Sequence, residues 1–358
     1  MEDQVYYRLR EVLDTIPNGF PATESGVEIK LLKKIFTEEE AELAMKLKLQ
    51  FETLDDIAKR TGLDRGYLDT TLRAMNQKGQ VFRINFGGTS VFKLLPFVFG
   101  IYEFQLPRID REFTELFEQY SKEAFQKEFF SRTPALMKVV PIGVDVSPDS
   151  TVEPYESVVK LIEGAKSWMV NECVCKKERA LMGHRCDRPM EVCLAFAPVE
   201  HVFDNVKTGR AITKEEAYRI LKESEEAGLV HQVSNTATGH IYICNCCECC
   251  CLPLRSFKEI GTNATARSNY RAAVDASICT ACGVCVDRCQ VDAIEVGECA
   301  VIGDCIGCGL CATSCPAGAI RMVRRDQAEQ LPVPKTELEW FQERAKSRGK
   351  GDEYKRML

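Results

Sequence analysis

The 358-residue sequence predicts an α+β chain of several domains, and three observations carry that prediction. Residues 1–130 hold no cysteine and read as a helical domain. Residues 156–268 set a strongly signalled helix between two groups of cysteines, ten in all, which predicts a cysteine-rich α/β domain. Residues 269–325 carry one cysteine spacing twice. A proline-bearing linker, 131–155, and a charged helical tail, 326–358, complete the expected order. At 45% hydrophobic, a chain of this length buries roughly three quarters of its unfolded surface, enough for two or three domains.

The N-terminal stretch "MEDQVYYRLREVLD" has the amphipathic pattern of a helix with early acids. It lacks the basic start and apolar run of an export signal. In "FTEEEAELAMKLKL", Thr37 followed by Glu40 forms a capping-box pattern ahead of helically spaced apolar residues. The segment "LDDIAKRTGLDRGYLDTTLRAMNQKGQVFRINFGGTSVFKLL" predicts a helix ending at Gly62 and a second, capped by Asp64, running to Gly79. Two strand-like runs then flank the turn at Gly87 and Gly88. Helix, turn, helix and wing in this order resemble a winged-helix domain.

That resemblance implies a recognition helix with Arg65, Arg73 and Lys78 on or near it. The same helix carries Asp64 and Asp69, and the chain has a net charge of −6, so protein docking is preferred to DNA binding. Further on, "TKEEAYRILKESEEAGLVHQ" signals a helix with Thr213 as cap, Glu216 at the third position and Gly228 past its end. The segment "ELEWFQERAKSR" predicts a last helix, expected as an exposed or partner-contacting tail.

Composition narrows the chemistry. The longest apolar stretches, such as "VFKLLPFVFGIY", are too short and interrupted to span a bilayer, so a cytoplasmic location is expected. In that reducing compartment, 19 cysteines point to metal or iron–sulfur ligation rather than disulfides. There is no Gly-rich dinucleotide fingerprint and no P-loop, and "GTNATARSN" has no phosphate-binding spacing. The four histidines form no constellation with carboxylates, so no catalytic residue is assigned.

The strongest signal is "CTACGVCVDRC", with Cys279, Cys282, Cys285 and Cys289, and "CIGCGLCATSCP", with Cys305, Cys308, Cys311 and Cys315. Both read C-x2-C-x2-C-x3-C, at an offset of 26 residues. Three close thiolates suit one face of a cubane, and Gly283, Gly307 and Gly309 let the loops curl around it. A zinc ribbon needs only C-x2-C pairs and leaves the other cysteines unexplained. The repeat is similar to the bacterial two-cluster ferredoxin. The resemblance implies one [4Fe–4S] cluster on Cys279, Cys282, Cys285 and Cys315, and a second on Cys305, Cys308, Cys311 and Cys289. It also implies that Ile294 and Ile320 pack over the clusters. Gln290 stands where the family usually has proline, and Cys299 falls at a hairpin turn as a free thiol.

The middle cysteines form two groups. Cys173, Cys175, Cys186 and Cys193 follow a C-x-C-x10-C-x6-C pattern that alone suits zinc; beside a ferredoxin-like repeat, iron–sulfur is preferred. His184 is left off the ligand list. The run "CNCCECCC" holds Cys244, Cys246, Cys247, Cys249, Cys250 and Cys251. If it is extended, alternation puts Cys244, Cys246 and Cys250 on one side and Cys247, Cys249 and Cys251 on the other. The two segments are then expected to meet and hold one or two further iron–sulfur clusters between them. A four-cysteine site on 173–193 beside one cluster on the run, or a non-cubane cluster using adjacent cysteines, are the alternatives.

Several clusters in one chain imply an electron-transfer subunit. The expected partner is a catalytic oxidoreductase subunit of anaerobic metabolism, with flavin, tungsten or molybdenum, or of heterodisulfide-reductase type. The alternative is an iron–sulfur redox-sensing transcriptional regulator acting on nucleic acid through the N-terminal domain.

Overall fold

A computed structural model describes residues 3–86, 88–143, 156–204, 206, 208–261 and 264–358. Gly87 of the expected wing turn and residues 144–155 of the expected linker therefore lie outside the described residues. The chain divides into two compact units, Met1–Arg132 with Phe341–Leu358, and Thr133–Trp340.

In the first unit, helices Gln4–Thr15, Val27–Ile35 and Glu38–Ala44 precede a short strand, β1 (Glu52–Thr53). Helices Leu54–Thr61 and Arg65–Gln77 follow, then β2 (Val81–Phe86) and β3 (Thr89–Leu94), in the antiparallel order β1-β3-β2. The local signals act as read. Thr37 and Glu40 form a reciprocal capping box, Gly62 ends its helix in the left-handed region, and Asp64 accepts from the Tyr67 N–H. Thr53 and Asp56 make a second capping box at the start of the helix Leu54–Thr61. An aromatic core follows, in which Phe97, Tyr102, Phe117, Tyr120, Phe125 and Phe129 stack or tilt against one another.

The C-terminal segment corrects the expectation of an exposed tail. Arg344 is fully buried; it donates to the Arg132 carbonyl at 2.7 Å and lies over the Phe129 ring. Arg348 is buried as well, and pairs with Asp14 at 2.7 Å in the first helix. Two of the charges that suggested solvent exposure thus lie inside this unit, while Glu343 and Lys346 stay exposed.

In the second unit the strands are β4 (Met137–Val139), β5 (Ser167–Glu172), β6 (Glu191–Ala197), β7 (Gly209–Ile212), β8 (Val230–Ser234), β9 (Tyr242–Cys246) and β10 (Thr265–Ala266). They form one sheet in the order β10-β4-β8-β9-β6-β5-β7, antiparallel except for the β10–β4 pair. β4 comes from the segment expected as a linker. Pro134 and Pro141 had suggested irregular chain, yet they only bracket the strand, where no ladder N–H is lost. The helix Lys214–Glu226, capped by Thr213 as read, packs Ile220 and Leu221 with Val170, Leu194 and Ile243 of the sheet.

The same unit continues into two antiparallel pairs, β11 (Tyr270–Val274) with β14 (Ile320–Arg324), and β12 (Ile294–Val296) with β13 (Ala300–Ile302). Helices Val284–Arg288 and Leu310–Thr313 lie between them. The repeat in sequence is thus a repeat in structure: each cysteine run ends in a short helix and then a strand.

Candidate metal centres

In the repeated module, one pocket is lined by Cys279, Cys282, Cys285 and Cys315 together with Pro316 and Ile320. Three of these thiols come from one run and the fourth from the other. Cys311 is surrounded in turn by Cys308, Cys305 and Cys289; burial foremost, then their charges, push its thiol upward. Burial likewise pushes Cys308 up to about 12. Such thiols resist ionisation until a cation takes the proton's place. Ile294 and Ile320 are buried in the same apolar cluster as Cys285 and Cys311.

Backbone N–H groups already point at several of the sulfurs. Ala300 donates to Cys279 at 3.4 Å, Ala293 to Cys289 at 3.2 Å, and Gly307 to Cys305 at 3.2 Å. Donors of this kind stabilise thiolate charge and tune the potential of a thiolate-held cluster. The glycines matter where the backbone approaches closely. Gly307 has φ +76°, and a Cβ there would lie 2.1 Å from the Tyr270 carbonyl; at Gly309, φ +85°, it would lie 2.3 Å from the Ile142 carbonyl. Cys299 sits in the turn between β12 and β13, half-exposed.

The middle cysteines gather into two sets, each fed by both segments. The larger set contains Cys173, Cys175, Cys193, Cys244, Cys246 and Cys251. Antiparallel pairing of Leu194 with Ile243 carries Cys193 next to Cys244, and Cys193 pushes the Cys244 thiol upward. Cys244 pushes the Cys246 thiol upward, Cys246 that of Cys251, and Cys173 that of Cys175. Cys173 stands at the N-cap position of the helix Val174–Leu181 and Cys251 at that of the helix Leu252–Ile260, neither with a side-chain capping bond. The Cys173 thiol is lowered to about 7, first by the Cys175 hydrogen bond and, against its burial, by the backbone N–H and charge of Lys176.

The smaller set is Cys186, Cys247, Cys249 and Cys250, whose sulfurs all lie within 4.8 Å of one another. Arg188 donates to Cys249 Sγ at 3.7 Å. His184, not expected as a ligand, is exposed.

This partition corrects the alternation expected along the run. Cys244 and Cys246 do oppose Cys247 and Cys249, but Cys250 joins the latter pair and Cys251 the former. The reason is local: β9 ends at Cys246, and a turn follows in which Cys251 N–H donates to the Cys247 carbonyl at 3.0 Å. A period of two holds in a strand and not in a turn.

Gln290, which had seemed only a turn variant, is 2% exposed, and its Oε1 accepts the Glu248 N–H at 3.1 Å. It thereby ties the repeated module to the cysteine run. Lys258 adds ion pairs to Glu248 and to Asp292, the latter at 2.7 Å. The sequence held no signal for this bridge, because it depends on tertiary approach.

The module at the C-terminal end thus has the fold and thiol placement of a ferredoxin-like domain. Residues 272–295 and 303–321 match the family model of the 4Fe-4S binding domain, and this part of the chain is a 4Fe–4S ferredoxin-like domain. No curated protein and no solved structure matches the chain.

Proposed function

We propose that the protein is an iron–sulfur electron-transfer subunit that relays electrons to or from a catalytic oxidoreductase partner. In this reading Cys279, Cys282, Cys285 and Cys315 hold one [4Fe–4S] cluster, and Cys305, Cys308, Cys311 and Cys289 a second. The six-thiol set, Cys173, Cys175, Cys193, Cys244, Cys246 and Cys251, holds a further iron–sulfur centre. Such clusters supply one-electron transfer.

The observation that carries the reading is a shared core. Cys308 of the ferredoxin-like domain packs in one apolar cluster with Cys244, Cys246 and Cys251, around Ile142, Val230, Leu254 and Ile306. Ile142 N–H also donates to the Cys308 carbonyl at 3.0 Å. A dry, packed path between two thiol sets suits conduction, because it holds the centres close and keeps water out. Lys176, 1% exposed, supplies a positive charge that lowers the thiols of both Cys173 and Cys247. Lys176→Met should lower the reduction potential of the nearby centre by on the order of 100 mV, read by potentiometric titration with EPR. An unchanged potential would count against that role.

The helix–strand–helix–helix–strand–strand order of the first unit supports a winged-helix reading, here as a docking module. The three cations on or near the helix Arg65–Gln77 are paired: Arg65 with Asp55 at 2.6 Å, Arg73 with Asp69 at 2.6 Å, and Lys78 with Glu40 at 2.5 Å. A recognition helix with those three charges paired offers little counterion release on DNA. Anaerobic purification of the native complex tests the proposal. The expected result is a co-purifying oxidoreductase whose turnover reoxidises this reduced chain; an associated protein that exchanges no electrons with it would refute the relay.

A further inference from the structure

We infer that Cys186, Cys247, Cys249 and Cys250 bind one four-coordinate metal ion, zinc or ferrous iron, and not an iron–sulfur cubane. The spacing of the sulfurs carries the inference. Cys247 to Cys249 is 3.5 Å, Cys186 to Cys249 and Cys249 to Cys250 are 3.7 Å, and Cys186 to Cys247 is 3.9 Å. Four sulfurs at about 2.3 Å from a single ion stand about 3.8 Å apart along the edges of a tetrahedron. Around a cubane, by contrast, the cysteine sulfurs are held on the order of 6 Å apart by the iron–sulfide core between them. Among the described residues, no other group of three or more metal-binding side chains is gathered so tightly. The ferredoxin-like sets are spread wider.

The surroundings fit a closed structural site. Four protein thiolates leave no open position for substrate. Three of them come from one turn, in which both Cys250 and Cys251 N–H groups donate to the Cys247 carbonyl. The fourth comes from 61 residues earlier in the chain. One ion there closes a long loop and fixes the turn, and the turn is what sends Cys251 to the six-thiol set. Cys247 and Cys250 are 1% and 2% exposed, packed beside Val192 and Leu229. The Arg188 guanidinium, donating to Cys249, offsets the negative charge that four thiolates leave on a divalent ion. In this arrangement the ion is a clamp that holds part of the electron path in shape. The metal assignment goes beyond the relay reading and does not depend on it; only the clamp's link to the electron path rests on that reading.

The test uses full-length protein purified anaerobically from medium supplied with both metals. Zinc, iron and acid-labile sulfide are counted per chain in the wild type and in Cys249→Ser. The variant should lose about one metal ion per chain with its sulfide unchanged. Zinc loss identifies the first ion; loss of sulfide-free iron, seen by Mössbauer spectroscopy, identifies the second. A fall of about four sulfides together with iron would overturn the inference in favour of a cubane, and unchanged metal content would overturn it altogether. If Cys249→Ser does not fold, the wild type decides by X-ray absorption. A shell of four sulfurs at about 2.3 Å around zinc, or a Mössbauer component for one sulfide-free iron, supports the clamp. Absence of both refutes it. The iron–sulfur reading fails separately, through sulfide missing from the ferredoxin-like domain.

Discussion

Replacing Cys315 with serine is expected to cost the protein about four irons and four sulfides per chain while the other centre of the ferredoxin-like domain persists. Cys315 belongs to the second cysteine run, yet it lines the pocket of the first, beside Cys279, Cys282 and Cys285. Cys289 shows the reverse exchange, near enough for its charge to raise the Cys308 and Cys311 thiols. The crossing is decided by paired variants. Cys282→Ser with Cys315→Ser should lose no more iron than either change alone, because both strike one cluster. Cys282→Ser with Cys289→Ser should lose about eight irons, because they strike two. Iron and sulfide analysis of the four proteins reads the outcome. The opposite additivity would assign each cluster to its own run and contradict the exchange.

The second large effect concerns the first unit. Arg348→Ala should destabilise it by about 3 kcal/mol, since removing one member of a buried ion pair leaves the other uncompensated. Arg348 donates to Asp14 Oδ1 at 2.7 Å and to the carbonyls of Asp14 and Ile16 at 2.8 and 2.9 Å. Burial acts to raise the Asp14 carboxyl, but Arg348 and Lys350 outweigh it and hold the pKa below its ordinary value. A folded-state pKa below the unfolded one contributes stability that is present above the ordinary carboxylate pKa. It is lost as pH falls through the depressed value. In Arg348→Ala that acid-side loss should shrink. Both tryptophans, Trp168 and Trp340, lie outside this unit, so hydrogen exchange across Gln4–Thr15 is the suitable probe. Protection unchanged from wild type would show that the C-terminal segment is not anchored as described.

What could be read in the sequence was governed by local rules. Thr37 with Glu40, Asp64, Thr213 and the glycines at 62 and 228 mark helix ends through contacts within a few residues, and each does so in the structure. The spacing of the eight repeated cysteines is likewise local, because the loop itself wraps the site. The rest depended on approach across the chain. Cys186 meets Cys247 only because the sheet brings segments 61 residues apart together. Arg344 and Arg348 look like surface charge until their partners near Arg132 and Asp14 are known. The swap of Cys250 and Cys251 turns on where a strand ends, which a run of cysteines does not announce. Gln290 became informative only when Glu248 was found beside it.

The most direct test of the relay is a stepwise anaerobic reduction of the full-length protein followed by EPR. The account predicts signals from both [4Fe–4S] clusters of the ferredoxin-like domain and from a third centre on the six-thiol set. The third should broaden or split the signal of the cluster held by Cys308, because the two share one packed core. About twelve sulfide-bridged irons per chain should accompany those signals. A reduced protein whose middle cysteines give no redox-active centre, with about eight such irons in all, would contradict a continuous path through the chain.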